Sequence, residues 1–161
     1  MYKRRYATAQ ICINGHVITD SLESRPEKAS RFCEQCGTET ITNCPHCNKV
    51  IRGYYYHGGF GSTVYKLPAF CHVCGNPYPW TEAKLKAAHE LAEELENLSA
   101  SEKENLHQSI DDMVTDSPRT ELAVTRFKKL LVKVGEPTAR VLRELVVDIA
   151  SSTAVKLIKG Q

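Results

Sequence analysis

Long apolar runs are absent from this 161-residue chain. A helix needs about 20 consecutive apolar residues to span a bilayer, and no segment approaches that length. The first residues are basic, but no apolar stretch follows them, so we expect no secretory signal. Neither sign of charge dominates, because 21 basic and 19 acidic residues leave a net charge of +2. The sequence therefore predicts a cytoplasmic protein with no membrane span and without a strongly basic nucleic-acid footprint.

Cysteine is missing after residue 74, and Phe127 is the only aromatic residue after residue 80. Ala, Leu, Glu and Lys at helical spacing take their place. This change of composition predicts an α+β protein with two domains. Residues 1–80 would form a small cysteine-rich head with short β-hairpins, and residues 81–161 an α-helical domain of about four helices.

Capping residues and prolines indicate where these helices begin. The start signals are Thr81, then Ser99 with Glu102 or Ser101 with Glu104, then Ser117 before Pro118, and finally Pro137. Gly135 ends the third predicted helix, as glycine commonly does. The fourth predicted helix runs from Pro137 to about Ile158.

This fourth helix carries an apolar stripe that spans about 140° of arc. Its members are Leu142, Leu145, Val146, Ile149, Ala150, Thr153 and Leu157. One neighbouring helix does not cover so wide a stripe, so the sequence predicts either a core helix with a frayed end or self-association through the C-terminal helices. Membrane-surface binding is a minor third option, because the polar face mixes both signs of charge. Residues 80–116 have a net charge of −7 and residues 117–161 one of +5. Opposite signs predict that these segments face each other, within one chain or between two copies.

Seven cysteines and one histidine form four pairs of candidate metal ligands. They are Cys12 with His16, Cys33 with Cys36, Cys44 with Cys47, and Cys71 with Cys74. Two residues between cysteines let both sulfurs lie about 2.3 Å from one ion. An odd number of cysteines in a reducing compartment disfavours disulfides, and an iron–sulfur cluster prefers four cysteines without histidine. The eight residues therefore predict two tetrahedral structural Zn²⁺ sites.

The turn after each ligand pair requires an unusual backbone conformation. Gly37, Gly75 and Asn48 follow the second cysteine of their pairs, where a zinc knuckle needs positive φ, and Gly15 lies inside the Cys12/His16 turn. Three ways of sharing two ions among four knuckles are open: sequential, nested and cross-braced. The sequential grouping is favoured because each loop then closes the shorter distance.

Short strands are expected between the knuckles. Residues 6–11 and 17–18 supply strands for the first ribbon. For the second ribbon we predict strands at residues 50–56 and 64–70, with residues 57–62 as the hairpin tip.

Several other side chains could be functional, but each is assigned a structural role. His46 and His72 lie between knuckle cysteines and are expected to point outward, and His57 is expected at a flexible hairpin tip. His89 and His107 are predicted to be solvated on helix surfaces. The run Tyr54, Tyr55 and Tyr56 is expected to pack within the head rather than stack on bases, and Trp80 to join the head to the helices.

The knuckle sequences resemble those of zinc ribbons, notably Phe32-Cys33-Glu-Gln-Cys36-Gly37 and Phe70-Cys71-His-Val-Cys74-Gly75. The order of the four knuckles, ending in Cys-Gly-x-Pro-Tyr-Pro-Trp-Thr, is similar to an uncharacterised family of small bacterial proteins with an N-terminal double zinc-ribbon head. The resemblance covers about residues 6–82. It implies the fold of the head and brings no established activity.

Three classes of function follow from these observations. The first is a non-enzymatic adaptor, in which the zinc head and the C-terminal helices bind a protein partner or a second copy. The second is a nucleic-acid-binding zinc-ribbon module, which the modest net charge disfavours. The third is an enzyme, which is not expected because two filled sites leave no open position on either ion. The adaptor is the preferred hypothesis.

Overall fold

The computed structural model describes residues 5–58 and 64–161. The chain divides into two compact units, one extending to Glu82 and the other spanning Ala83–Gln161. We refer to them as the head and the helical unit. Short sheets precede a series of helices, so the predicted α+β class is confirmed. Lys3, Arg4 and residues 59–62 of the predicted hairpin tip lie outside the described residues.

Two small antiparallel sheets form the regular structure described in the head. Strand β1 (Arg5–Thr8) pairs with β5 (Arg52–Tyr56). Strand β2 (Gln10–Cys12) lies between β3 (Val17–Thr19) and β4 (Thr40–Ile41). A 3₁₀ turn covers Pro26–Lys28.

The pairing of β5 corrects the prediction for the second ribbon. Residues 64–70 form no strand in the structure, and β5 pairs instead with β1, in the register Arg5 to Tyr56. The physical reason is a close approach of backbones at Gly53. Its neighbour Tyr54 donates its N–H to the carbonyl of Asp20, so the chain near β3 and the strand β1 hold β5 in place.

The core of the head contains two of the cysteines predicted to bind metal together with apolar side chains. Its buried members are Ala9, Ile11, Cys44, Ile51, Cys71, Tyr78 and Trp80. The ring of Trp80 stacks on Tyr78 at 4.7 Å, and its indole N–H donates to the carbonyl of Pro68 at 2.8 Å. Trp80, which is expected to join the head to the helices, is buried in the core of the head.

Five helices follow in the described chain, where about four were predicted. They are α1 (Pro79–Glu93), α2 (Ala100–Val114), α3 (Thr120–Val134), α4 (Thr138–Ile149) and α5 (Ser152–Lys159). Helices α2 and α3 form the most extensive pair. Their buried faces supply much of the core of the helical unit, including Leu106, Ile110, Met113, Phe127 and Leu131.

The helix boundaries confirm some of the predicted caps and correct others. Ser99 and Glu102 form the predicted capping box of α2, and Gly135 ends α3. Thr81 lies inside α1 rather than at its start, because its buried hydroxyl donates to the carbonyl of Ala69. Helix α3 begins later than predicted, because the hydroxyl of Thr120 accepts the N–H of Ser117 and holds the preceding turn.

The long fourth helix of the prediction is divided into α4 and α5. Ala150 is extended, with ψ of 152°, and Ser151 caps α5 by accepting the N–H of Ala154. The N–H of Ser151 donates to the carbonyl of Met113 in α2, so a tertiary contact ends α4 at this point. Leu142, Val146 and Ile149 of the predicted stripe are buried, so its first half is core. In α5 the structure instead buries Ala154 and Ile158, which were not members of the stripe, and leaves Thr153 exposed.

Candidate metal centres

The three Cys-x-x-Cys pairs share one backbone design. The N–H of the residue after the second cysteine donates to the carbonyl of the first: Gly37 to Cys33 at 2.7 Å, Asn48 to Cys44 at 2.8 Å, and Gly75 to Cys71 at 2.9 Å. A single β-bridge then closes each loop, between Phe32 and Glu39, Asn43 and Val50, and Phe70 and Pro77.

The predicted left-handed conformations in these turns are confirmed. The φ angles are 70° at Gly37, 60° at Asn48 and 72° at Gly75. The fourth turn differs, because Gly15, with φ of 91°, donates to Cys12 one residue before His16. A Cβ on Gly15 would lie 2.9 Å from Cβ of Trp80, so glycine is required here by packing as well as by conformation.

The structure brings the eight predicted ligand residues together in two groups of four. Cys12, His16, Cys33 and Cys36 form the first cluster, and Cys44, Cys47, Cys71 and Cys74 form the second. In each cluster the four potential ligand atoms all lie within 4.8 Å of one another. This is the sequential grouping of the knuckles.

The distances between ligand atoms can be compared with those of a tetrahedral zinc site. Zn–S bonds of about 2.3 Å place two sulfurs about 3.8 Å apart, and a Zn–N bond of about 2.0 Å places nitrogen about 3.5 Å from sulfur. Sγ of Cys44 lies 3.8 Å from Sγ of Cys74, and Sγ of Cys12 lies 3.7 Å from Sγ of Cys36. Nδ1 of His16 lies 3.4 Å from Sγ of Cys12. Both donor sets therefore fit a tetrahedral metal ion.

These distances also argue against disulfides. A disulfide requires an S–S separation of about 2.05 Å, far shorter than the 3.6 Å between Cys47 and Cys71. All seven cysteines are free thiols in the structure. The fold therefore brings the cysteines together in two clusters that could hold metal ions and that contain no disulfide.

Hydrogen bonds from the turns stabilise some thiolates directly. The hydroxyl and backbone N–H of Thr38 lower the pKa of Cys36 to about 5. The backbone N–H groups of Cys74 and Val73, against an opposing effect of burial, lower the pKa of Cys71 to about 6. The turns therefore supply donors for the deprotonated sulfur that a metal requires.

Two other cysteines, Cys47 and Cys33, have their pKa values shifted in the opposite direction. The backbone N–H of Lys49 lowers the pKa of Cys47, but burial and the neighbouring sulfurs outweigh it and raise that pKa to about 12. Burial also raises the pKa of Cys33. Several thiolates close together need a compensating positive charge, which a bound cation supplies.

The histidines within the knuckles lie outside the clusters. His46 and His72 are exposed, as predicted, and Nε2 of His46 lies 3.5 Å from a carboxylate oxygen of Glu82. His57 lies beside Tyr55, with ring centroids 6.3 Å apart.

The histidines of the helical unit correct the sequence prediction. His89 of α1 and His107 of α2 were expected to be solvated, but their rings lie together with centroids 4.6 Å apart. No sequence signal indicated this pair, because the contact depends on how α1 and α2 pack. The sequence of each helix shows only that its histidine lies next to the apolar face of that helix.

Comparison with known proteins places the chain in a family. The model of a family described as "Uncharacterized protein conserved in bacteria (DUF2321)" matches residues 5–158. The chain belongs to this family. The match extends across both the head and the helical unit, and it confirms the resemblance carried by the knuckle sequences.

No curated protein and no solved structure matched the chain. Within the described residues, no helix is long and apolar enough to cross a bilayer.

Proposed function

We propose that this protein is a non-enzymatic adaptor of the cytoplasm whose head contains two structural Zn²⁺ ions. The observation that carries the proposal is the composition of the two clusters, each of which offers four protein ligands at tetrahedral spacing. A catalytic zinc keeps a position open for water or substrate, whereas four protein ligands fill the coordination of the ion. Zinc in the head would therefore hold the knuckles together and leave their outer surfaces for binding.

A groove beside the first cluster is the surface that we propose for a protein partner. It has a volume of about 520 Å³ and is lined by residues that include Val17, Lys28, Phe32 and Glu34. Phe32 is 50% exposed, although a large aromatic side chain usually gains by burial. An apolar ring beside charges of both signs suits a protein segment with mixed apolar and charged side chains.

We also propose self-association through the C-terminal helices. The surface proposed for it is an exposed groove and not the apolar stripe of α4, which is largely buried. A groove of about 600 Å³ is lined by α3, α4 and α5, including Leu131, Ala139 and Ile158. At its edge Val132 is 84% exposed. We expect the unmodified protein to sediment as a dimer at tens of micromolar, and the variant Val132→Glu to sediment as a monomer with its helical circular dichroism retained. If the unmodified protein sediments as a monomer at this concentration, the proposed pairing is wrong.

The second candidate, nucleic-acid binding, is disfavoured by the contacts of the tyrosines. The rings of Tyr6 and Tyr55 lie 4.7 Å apart, and those of Tyr54 and Tyr56 lie 5.1 Å apart. The guanidinium of Arg52 lies 4.4 Å from the centre of the Tyr6 ring. These aromatic faces are engaged within the head, which leaves less surface for stacking on bases.

Two measurements test the proposal. Metal analysis with X-ray absorption should find about two zinc ions per chain, each bound only by sulfur and nitrogen of the protein. One ion per chain, iron, or a bound water on either ion would contradict it.

The adaptor role is tested with a photo-crosslinking amino acid in place of Phe32. It should capture a discrete protein in the native cell, and the same substitution at Val73, 53% exposed on another knuckle, should not. Sub-micromolar binding to single-stranded or duplex nucleic acid with a steep salt dependence would favour the second candidate instead.

A further inference from the structure

The two clusters of the head differ in how far the rest of the fold encloses them. All four cysteines of the second cluster lie in the core of the head or pack against it, namely Cys44, Cys47, Cys71 and Cys74. In the first cluster Cys12 and Cys33 are buried, but Cys36 is exposed to solvent, whereas the other six cysteines of the chain are buried or half-buried. A small reagent in solution can therefore reach a sulfur of the first cluster directly.

Cys36 also has a second sulfur close to it. Its Sγ lies 3.7 Å from Sγ of Cys12 on strand β2. The two sulfurs must approach by about 1.7 Å to reach the length of a disulfide bond, which is within the range of side-chain rotation. Cysteines that respond to oxidants combine access to solvent with a neighbouring cysteine that can form a disulfide. Cys36 and Cys12 together have both features.

We propose that Cys36 is an oxidation site for hydroperoxides, and that its oxidation to a disulfide with Cys12 opens the first cluster and controls binding at the groove beside it. This inference rests on the proposed function of the head, because it assigns regulation to the groove that contains Phe32.

The reaction has two steps, with hydrogen peroxide as the oxidant. The Cys36 thiolate attacks one peroxide oxygen, the O–O bond breaks, and a sulfenic acid forms as hydroxide leaves. The Cys12 thiolate then attacks the sulfur of this sulfenic acid, so the S–S bond forms and a second hydroxide leaves. The two thiolates lose two electrons in all, and these reduce the peroxide to two hydroxide ions, each of which takes up a proton to become water.

Disulfide formation removes half of the ligands in the first cluster. Thiolate is the form of cysteine that binds a metal, and a disulfide contains none. Cys33 and His16 remain, and two donors do not complete the four-coordinate shell of a structural zinc. The first cluster should therefore lose its ion, while the enclosed second cluster keeps its own.

The groove proposed for a protein partner is built on the same knuckle. Its lining includes Phe32 and Cys33, together with Val17 next to the ligand His16. A β-bridge joins Phe32 to Glu39 across the knuckle loop. Loss of the ion removes the tie between this loop and the rest of the cluster, so Phe32 loses its fixed position beside Val17. Oxidation should consequently release the partner.

The first test treats the full-length, zinc-loaded protein with hydrogen peroxide and counts the zinc that remains. About one of two zinc ions per chain should be lost. X-ray absorption of the remaining ion should show sulfur neighbours at about 2.3 Å and no nitrogen, because His16 belongs to the first cluster. Dithiothreitol with added Zn²⁺ should restore the count. Equal rates of loss from both clusters, or a remaining ion with a nitrogen neighbour, would overturn the proposal.

The variant Cys36→His separates oxidation of this sulfur from a general loss of metal. Histidine can replace cysteine as a zinc ligand, so the variant keeps four donors in the first cluster but lacks the sulfur that peroxide attacks. It should retain both ions under conditions that remove one from the wild type. Cys74→His is the matched control in the second cluster and should lose one ion as the wild type does. Equal losses from the two variants would contradict the role of Cys36.

Peptide mapping of the oxidised wild type decides the matter if Cys36→His does not fold. After proteolysis, the peptide that contains Cys12 should be joined by a disulfide to the peptide that contains Cys36. A disulfide confined to Cys33 and Cys36, or oxidation of the second cluster alone, would overturn the proposal.

The crosslinking experiment at position 32 tests the link to the groove. Capture of the partner should fall to the level of the Val73 control after peroxide treatment and return with dithiothreitol and Zn²⁺. Capture that is unchanged by oxidation would overturn the proposed control of the groove. Absence of capture before oxidation would instead contradict the adaptor role, and fewer than about two zinc ions before oxidation would contradict the metal content proposed for the head.

Discussion

The head and the helical unit differ in how much regular structure they contain. The described strands of the head are two to five residues long, whereas α2 and α3 have 15 residues each and α5 has eight. Two of the seven residues in the core of the head are cysteines of the second cluster, Cys44 and Cys71. The core of the helical unit instead consists of side chains such as Leu106, Phe127 and Leu142.

This difference indicates where each unit obtains its stability. A domain of about 80 residues buries a smaller fraction of its surface than a larger one, so its hydrophobic core alone gives little margin. Metal coordination by the two clusters would supply folding free energy directly to the head. The helical unit depends on apolar burial and on its helix caps. The following experiments separate these two sources, beginning with the largest expected effect.

Metal removal should unfold the head and leave the helical unit largely folded. A structural zinc typically contributes about 10 kcal/mol or more to folding, which is comparable with the net stability of a whole domain. Trp80, the only tryptophan, lies in the core of the head and reports on it by fluorescence. A strong chelator should shift this emission to the red while most of the helical circular dichroism persists. Simultaneous loss of both signals would show that the stability of the helical unit also depends on metal.

The substitution Ile149→Asp should have the opposite pattern. Ile149 is 4% exposed, so an unpaired carboxylate there should cost about 4 kcal/mol and unfold the helical unit. Zinc content and Trp80 fluorescence should be retained. Val141→Asp is the control on the same helix, because Val141 is 46% exposed and its replacement should change stability by less than about 0.5 kcal/mol.

Gly53→Ala should destabilise the head without removing a metal ligand. A Cβ at this position would lie 2.0 Å from the carbonyl oxygen of Asp20, so the backbone must move. We expect a loss of about 3 kcal/mol in denaturant titrations followed by Trp80 fluorescence. Gly37→Ala is the control, since it has φ of 70° but no atom within 4 Å, and should cost about 1 kcal/mol. Equal losses of stability in the two variants would show that the close approach to Asp20 does not determine the cost of a side chain at Gly53.

Ser99→Ala tests the cap of α2. Ser99 accepts the N–H of Glu102, and loss of such a cap costs about 1 kcal/mol. Ser101→Ala should change the free energy of unfolding far less, because Ser101 is an exposed residue inside the helix. Denaturant midpoints of the helical unit, measured by circular dichroism, compare the two variants. A larger loss from Ser101→Ala would assign the cap to the other capping box that the sequence allows.

The smallest effect expected is a pH dependence at Glu102. The ammonium group of Lys133 and the backbone N–H of Ser99 lower the pKa of Glu102 in the folded protein. A group with a lowered folded pKa stabilises above its unfolded pKa, and this contribution disappears as pH falls through the folded pKa. The advantage of wild type over Glu102→Gln in melting temperature should therefore decline between about pH 5 and about pH 3. A constant difference over this interval would contradict the assignment.

Features that depend on neighbouring residues in the chain could be predicted from the sequence. The knuckle turns, the positive φ at Gly37 and Asn48, and the capping box at Ser99 each follow from residue types within a few positions. The grouping of ligands was favoured by loop length alone, which is also a property of the sequence.

Features that depend on distant residues could not be predicted in this way. The partner of β5 is set by the approach of Gly53 to Asp20, and the end of α4 by the carbonyl of Met113. The stripe predicted from Leu142 to Leu157 assumed one continuous helix, whereas after the break the structure buries Ala154 and Ile158 and exposes Thr153. The contact between His89 and His107 likewise requires the packing of two helices.

The common design of the three Cys-x-x-Cys knuckles leaves the residues between the cysteines free to vary in evolution. The two residues inside each Cys-x-x-Cys loop are exposed in all three cases: Glu34 and Gln35, Pro45 and His46, and His72 and Val73. The bonds that shape each loop come from the backbone and the cysteines. These six side chains can therefore vary with little penalty to folding. Such a head could acquire a new binding preference by point substitution while its metal-ligand residues and backbone stay the same.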